Sequence, residues 1–271
     1  MRSMFNTNGK GLEIGPSYNP LVPKHEGFDV EVIDHLSTED LRKKYSKEAL
    51  VNSSLIEEVD YVWDGRPLSK IIGKTNAYDY VVASHVIEHT PDMLGFLKEC
   101  SSLLKQDGVL VLAVPDKRRC FDVFRPLSTT GSVLQAHVEK RKVHPPSVAF
   151  DHVAYFTELD GAGGWPEGKK GNLTMPHMLN FAAKVFDRSS NSNVYYDFHA
   201  WNFCPSSFRQ IIQDLNSLNM LDLKEKAFQL TPGIEFFVTM SQSGSGCPHS
   251  RLDLMIKAKR ELLEFPLDFG N

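Results

Sequence analysis

The chain has 271 residues, 41% of them apolar and 24% charged, and carries a formal net charge of −4. This balance fits a globular protein read as one domain over 1–271, and its slight acidity excludes nucleic acid as a main partner. No apolar run reaches membrane-spanning length, no signal-peptide core opens the chain, and the four cysteines share no metal-ligand spacing, so a cytoplasmic protein without membrane insertion is expected.

Strand and helix signals alternate from the start. Residues 11–14 and 28–33 read as strands, and Ser37-Thr38-Glu39-Asp40 reads as a capped helix start running to about Ser46. A strand near 57–63 ends at Asp64-Gly65. Tyr78 to Ala83 is a continuous apolar run of the kind a strand buried on both faces shows. Thr90-Pro91 is expected to cap a helix carrying Met93, Phe96, Leu97, Cys100 and Leu104 at helical spacing. Gln106-Asp107-Gly108 turns into a further strand over 109–114. Such units imply an α/β fold, a mostly parallel sheet with helices on both faces.

After Pro115 the alternation breaks. Residues 117–198, with Pro145-Pro146 and a glycine-rich stretch at 161–171, read as an inserted, partly helical substrate cap. A helix from Pro205 buries Phe208, Ile211, Ile212 and Leu215 on one face, with strands near 221–224 and 234–240 after it. Residues 247–271 form a helical tail, whose helix near 251–264 has an apolar stripe of Leu252, Met255, Ile256 and Leu263. That stripe suits a cover for the core, or the contact of a homodimer.

The first strand ends Leu-Glu-Ile-Gly-Pro at 12–16, and the second ends Val-Ile-Asp at 32–34. Gly15 lets backbone approach a ligand closely, and Asp34 is placed to accept from ribose hydroxyls. These are parts of a nucleoside site. A nicotinamide dinucleotide fits poorly, because its pyrophosphate needs two further glycines where Ser17 and Asn19 stand. Pro20 and Pro23 also oppose a full helix after the turn.

Leu-Glu-Ile-Gly-Pro at 12–16, Val-Ile-Asp at 32–34, the 78–89 run ending Ser-His-Val-Ile-Glu-His, and 104–110 together resemble class I S-adenosylmethionine-dependent methyltransferases. With Val-Trp-Asp-Gly at 62–65 and Val-Pro-Asp-Lys-Arg at 114–118, the chain looks like those encoded with bacterial surface-polysaccharide genes. The resemblance implies a Rossmann-like fold with a seven-stranded sheet, and S-adenosylmethionine as methyl donor. By the same resemblance Glu13 would hold the donor's ammonium, directly or through water. Gly15 and Pro16 would supply tight backbone, Asp34 would take the ribose, and Asp64 (or Asp60) the adenine amine. Ser84 and His85 would face the methionine part.

Methyl transfer to a hydroxyl needs the acceptor's proton removed, so the base is sought among His85, His89, Asp116, His152 and His199. Lys117 and Arg118, with Trp201, are candidates to bind an anionic acceptor. No acidic spacing commits to a metal, and Mg²⁺ assisted by Asp116 or Asp151 is left open. The expected reaction is O-methylation of a sugar or anionic glycan precursor, by a monomer or homodimer. The alternatives are a phosphate-containing metabolite or natural product as acceptor, or a non-catalytic module of the same fold.

Overall fold

A computed structural model describes residues 1–48 and 51–263. Strand β1 (Gly11–Ile14) pairs in parallel with β2 (Val30–Asp34), which pairs in parallel with β3 (Tyr61–Val62). On its other side β1 pairs with β4 (Tyr78–Ser84), and β4 with β5 (Leu104–Pro115), again in parallel. Helices α1 (Thr38–Tyr45), α2 (Leu68–Ile72) and α3 (Met93–Leu103) lie between these strands in sequence. Ser37 caps α1 as its sequence predicts, its side chain accepting from Asp40 N.

Beyond β5 come α4 (Thr130–Val138), α5 (Pro146–Ala154), the short antiparallel pair β6 (Glu158–Leu159) and β7 (Leu173–Thr174), and α6 (Leu179–Ser190). Helix α7 (Pro205–Ser217), β8 (Lys224–Leu230), β9 (Glu235–Ser241) and α8 (Arg251–Leu263) complete the chain. The main sheet runs β3-β2-β1-β4-β5-β9-β8, with β9 antiparallel to both neighbours. This is the seven-stranded, mostly parallel sheet of a Rossmann-like class I methyltransferase.

The core explains the apolar runs. Tyr78, Tyr80, Val81 and Val82 of β4 are fully buried, as a central strand covered on both faces requires. Phe208, Ile211 and Leu215 of α7 are also at 0% exposure, each contributing about 2 kcal/mol by leaving water. Strand order reverses between β1 and β4, so a crevice opens at their carboxyl ends.

Several expectations change on contact with the structure. The strand near 57–63 shrinks to Tyr61–Val62, and the one near 221–224 is displaced to Lys224–Leu230. Asp92, rather than Thr90-Pro91, caps α3, its carboxylate accepting from Gly95 N at 2.8 Å. Within 117–198, α4 joins the main core through Val133 and Ala136, whereas α5 and α6 share a separate small cluster of Val153, Ala154 and Ala182. The α8 stripe is turned outward: Leu252 and Leu263 are 66% and 83% exposed, and Leu254 and Ala258 are the buried positions. Arg251 pairs with Asp214 of α7 at 2.7 Å on the rim of that contact. Of the helical tail over 247–271, residues 264–271 lie outside the described residues.

Candidate active site

The β1 turn is built for close approach. Gly15 has φ +65°, and a Cβ there would sit 3.1 Å from Val86 Cγ2, so only glycine gives this turn without strain. Pro16 follows, and Ser17 also takes a left-handed backbone at φ 51°. No α-helix follows; the chain makes only a 3₁₀ turn over Lys24–Glu26, consistent with Pro20 and Pro23.

Two buried carboxylates hold this loop. Glu13 accepts from Leu21 N at 2.6 Å and Val22 N at 3.2 Å, so it braces the loop with both oxygens. Burial pushes its carboxyl up to about 7, against the lowering effect of those two hydrogen bonds. Asp34, 1% exposed, accepts from Ser17 N at 2.9 Å and from His35 N at 2.7 Å. Trp63 N donates to Asp34 O at 2.7 Å, bringing Asp64 to the same edge. Asp64 is half exposed and pairs with Arg66, while Asp60 is used by Val32 N and Lys24. Ser84 ends β4 beside this crevice.

Just past β4 the chain gathers three histidines around one acid. His85 adopts φ 53°, and its Nε2 lies 2.5 Å from Glu235 Oε2 at the start of β9. Its Nδ1 lies 3.6 Å from Glu88 Oε1. Burial lowers the His85 pKa, but the Glu235 hydrogen bond and the Glu88 charge outweigh it and leave the group raised. His89 presents Nε2 to the same oxygen at 3.7 Å, with Nδ1 2.8 Å from Asp197. His199 presents Nε2 at 3.9 Å, with Nδ1 2.5 Å from Asp122. Ala200 N donating to Glu88 O at 2.7 Å anchors the returning chain here.

The remaining candidates are occupied elsewhere. His152 Nδ1 accepts from His199 N at 3.2 Å, which puts its proton on Nε2. Burial first, then the nearby His199, drops its pKa to about 3, so it is a weak base. Asp116 is gripped by Arg118 at 2.9, 3.1 and 2.5 Å, which removes both from the roles expected of them. Lys117 is buried and donates to Val123 O at 2.6 Å. Trp201 is buried and donates to Thr90 O at 2.6 Å. The cationic run therefore braces the fold, because each cation finds a carboxylate or carbonyl inside it.

Sequence reasoning passed over Glu88, Asp122 and Glu235. His85, Glu88 and His89 stand at i, i+3 and i+4, a readable signal of which only the two histidines were weighed, as bases. Asp122 and Glu235 gave none, since they meet their histidines across 77 and 150 residues.

Sheet order and crevice define the class, a Rossmann-like methyltransferase fold. The family model described as a methyltransferase domain matches residues 3–160, more than half of the chain, and the chain belongs to that family. S-adenosylmethionine as donor follows from the family. Similar solved structures include a SAM-dependent methyltransferase from Thermotoga maritima at 12% identity, TM-score 0.43, covering 89% of this chain and 85% of that one. Another, from Methanosarcina mazei, shows 13% identity and TM-score 0.42, covering 88% and 95%. The CMeT domain of the citrinin polyketide synthase shows 12% identity and TM-score 0.41; 87% of this chain is covered, but only 46% of that one. No curated protein matches the chain. Among the described residues, no helix is long and apolar enough to cross a membrane.

Proposed function

We propose that this methyltransferase methylates a hydroxyl oxygen of a sugar or glycan precursor, with His85 as the base. The observation carrying this reading is the histidine cluster around Glu88, which adjoins the Gly15 turn through Val86. The likeness to polysaccharide-cluster methyltransferases at 12–16, 62–65, 84–89 and 114–118 supports the acceptor class. The inward turn of Lys117 and Arg118 removes the argument for an anionic one.

The crevice fits the donor: backbone without a Cβ at Gly15 and a buried carboxylate at Asp34 suit a ribose, and no cradle for a pyrophosphate is needed. When bound, S-adenosylmethionine supplies a methyl group already activated on a sulfonium. Asp34 accepts from the ribose hydroxyls, Gly15 and Pro16 line the turn with backbone, and Asp64 receives the adenine amine. Glu13 acts behind them by holding the loop. Glu235 fixes the His85 ring through Nε2, leaving Nδ1 to take the acceptor's proton as the oxygen attacks. The α5–α6 part of the insertion covers the acceptor and excludes water.

A panel of sugars, nucleotide sugars, phosphorylated metabolites, lipids and quinones, assayed with donor labelled in its methyl group, tests this. Label is expected on a sugar hydroxyl. Transfer only to lipid or quinone would reject the acceptor class, and donor binding by calorimetry without any turnover would favour a non-catalytic module.

A further inference from the structure

Glu88 stands out among the described residues. It is 1% exposed, and neither carboxylate oxygen has a hydrogen-bond partner. A buried carboxylate is ordinarily hydrogen-bonded or ligated, because leaving it bare in low dielectric is costly. The nitrogens facing it stand slightly beyond hydrogen-bond reach, at 3.7 Å for His89 Nε2 and 3.9 Å for His199 Nε2.

A carboxylate stands behind each ring, hydrogen-bonded to His199 and only close to His89. Asp122 takes His199 Nδ1 at 2.5 Å, and Asp197 sits 2.8 Å from His89 Nδ1. A carboxylate behind one nitrogen fixes the tautomer, so the opposite nitrogen offers its lone pair forward. For His199 that nitrogen is Nε2, and His89 Nε2 faces the same bare oxygen, free to offer its own lone pair. Two lone pairs and an anion do not hydrogen-bond one another, but they share a cation well. The ligand atoms of Glu88, His89 and His199 all lie within 4.8 Å of one another. Donors around an ion with bonds of about 2.1 Å stand roughly 3.0–3.4 Å apart, so closing the site draws the side chains together by up to about an ångström.

We infer that Glu88, His89 and His199 bind a divalent first-row transition ion, of the Mn²⁺ to Zn²⁺ class. Two imidazoles with one carboxylate suit such ions, whereas Mg²⁺ favours oxygen ligands throughout. Three protein ligands leave positions open, and His85, with Nδ1 3.6 Å from Glu88 Oε1, adjoins them. The open positions take the acceptor's hydroxyl, which the ion acidifies and points at the crevice. That last role rests on the O-methyltransferase reading; the binding of the ion does not.

The full-length chain, stripped with EDTA, is titrated with Zn²⁺, Mn²⁺ and Co²⁺ by calorimetry, with metal content measured separately. One ion per chain is expected, and bound Co²⁺ should show ligand-field absorption. Glu88→Gln and His199→Asn should each weaken binding by about tenfold or more, with donor affinity and circular dichroism retained. His89→Ala, at a partly exposed position, repeats the test if a buried variant fails to fold. No saturable binding by the wild type, or binding unchanged in the variants that fold, overturns the site. A bound ion whose removal leaves turnover on an identified acceptor intact overturns its role in transfer. Ion binding without turnover on any acceptor upholds the site and counts against the reading in which it acts.

Discussion

His199 Nδ1 and Asp122 Oδ2 meet at 2.5 Å, both side chains more than nine-tenths buried, and Arg125 Nη1 donates to the same carboxylate at 2.8 Å. This acid lies behind the histidine cluster and compensates a buried guanidinium. Asp122→Asn keeps the shape and removes the charge, leaving Arg125 uncompensated. We expect a loss of about 3 kcal/mol in chemical denaturation. A change under half of that would show the pair to be weakly coupled.

His85→Asn tests the base. Asparagine tolerates the left-handed φ of 53° better than most residues, so the turn after β4 should survive. Turnover should fall by about 100-fold or more, with donor affinity preserved in calorimetry. His152→Ala should lose far less, because its Nδ1 is already an acceptor for His199 N. The reverse ranking would return the base to His152.

Asp34→Ala should weaken donor binding by more than about 1 kcal/mol, since ribose hydroxyls lose a charged acceptor. The carboxylate also receives Ser17 N at 2.9 Å, so protease sensitivity of the 16–22 loop should rise as well. Unchanged donor affinity would remove Asp34 from the site.

Glu13 predicts a pH effect on stability. Its folded pKa of about 7 exceeds the ordinary 4.5, so between those values the folded chain binds more proton than the unfolded one. Wild-type stability from this group is therefore full below 4.5 and lost as pH climbs through 7, by about 3 kcal/mol in total. Glu13→Gln abolishes that slope. Urea denaturation at pH 4.5 and 8 should show the variant gaining on the wild type at the higher pH; parallel curves would contradict the assignment.

The parallel sheet, the glycine turn after β1 and the acid ending β2 could be read from the chain because their signals are local. The apolar run at 78–83, the turn at Gly15 and the acid ending β2 are each written in a few consecutive residues. The acceptor side was hidden for the opposite reason. Lys117, Arg118 and Asp116 look like a solvent-facing charged run, yet they satisfy one another or a nearby carbonyl within the fold. The role of Glu88 depends on His199, which returns only after 110 intervening positions. The α8 stripe does not cover the core because α8 packs through Leu254 and Ala258 instead, which leaves Leu252, Met255, Ile256 and Leu263 exposed.

Because β9 runs against its neighbours, its first residue rather than its last reaches the catalytic edge, and that residue is Glu235. The family likeness stops at residue 160, short of both His199 and Glu235. Gly15, Asp34, His85 and Glu88 lie inside the matched stretch, while the two groups that complete the histidine cluster lie beyond it. The cluster is therefore closed only when the last strand of the sheet and the chain before α7 come back to the end of β4.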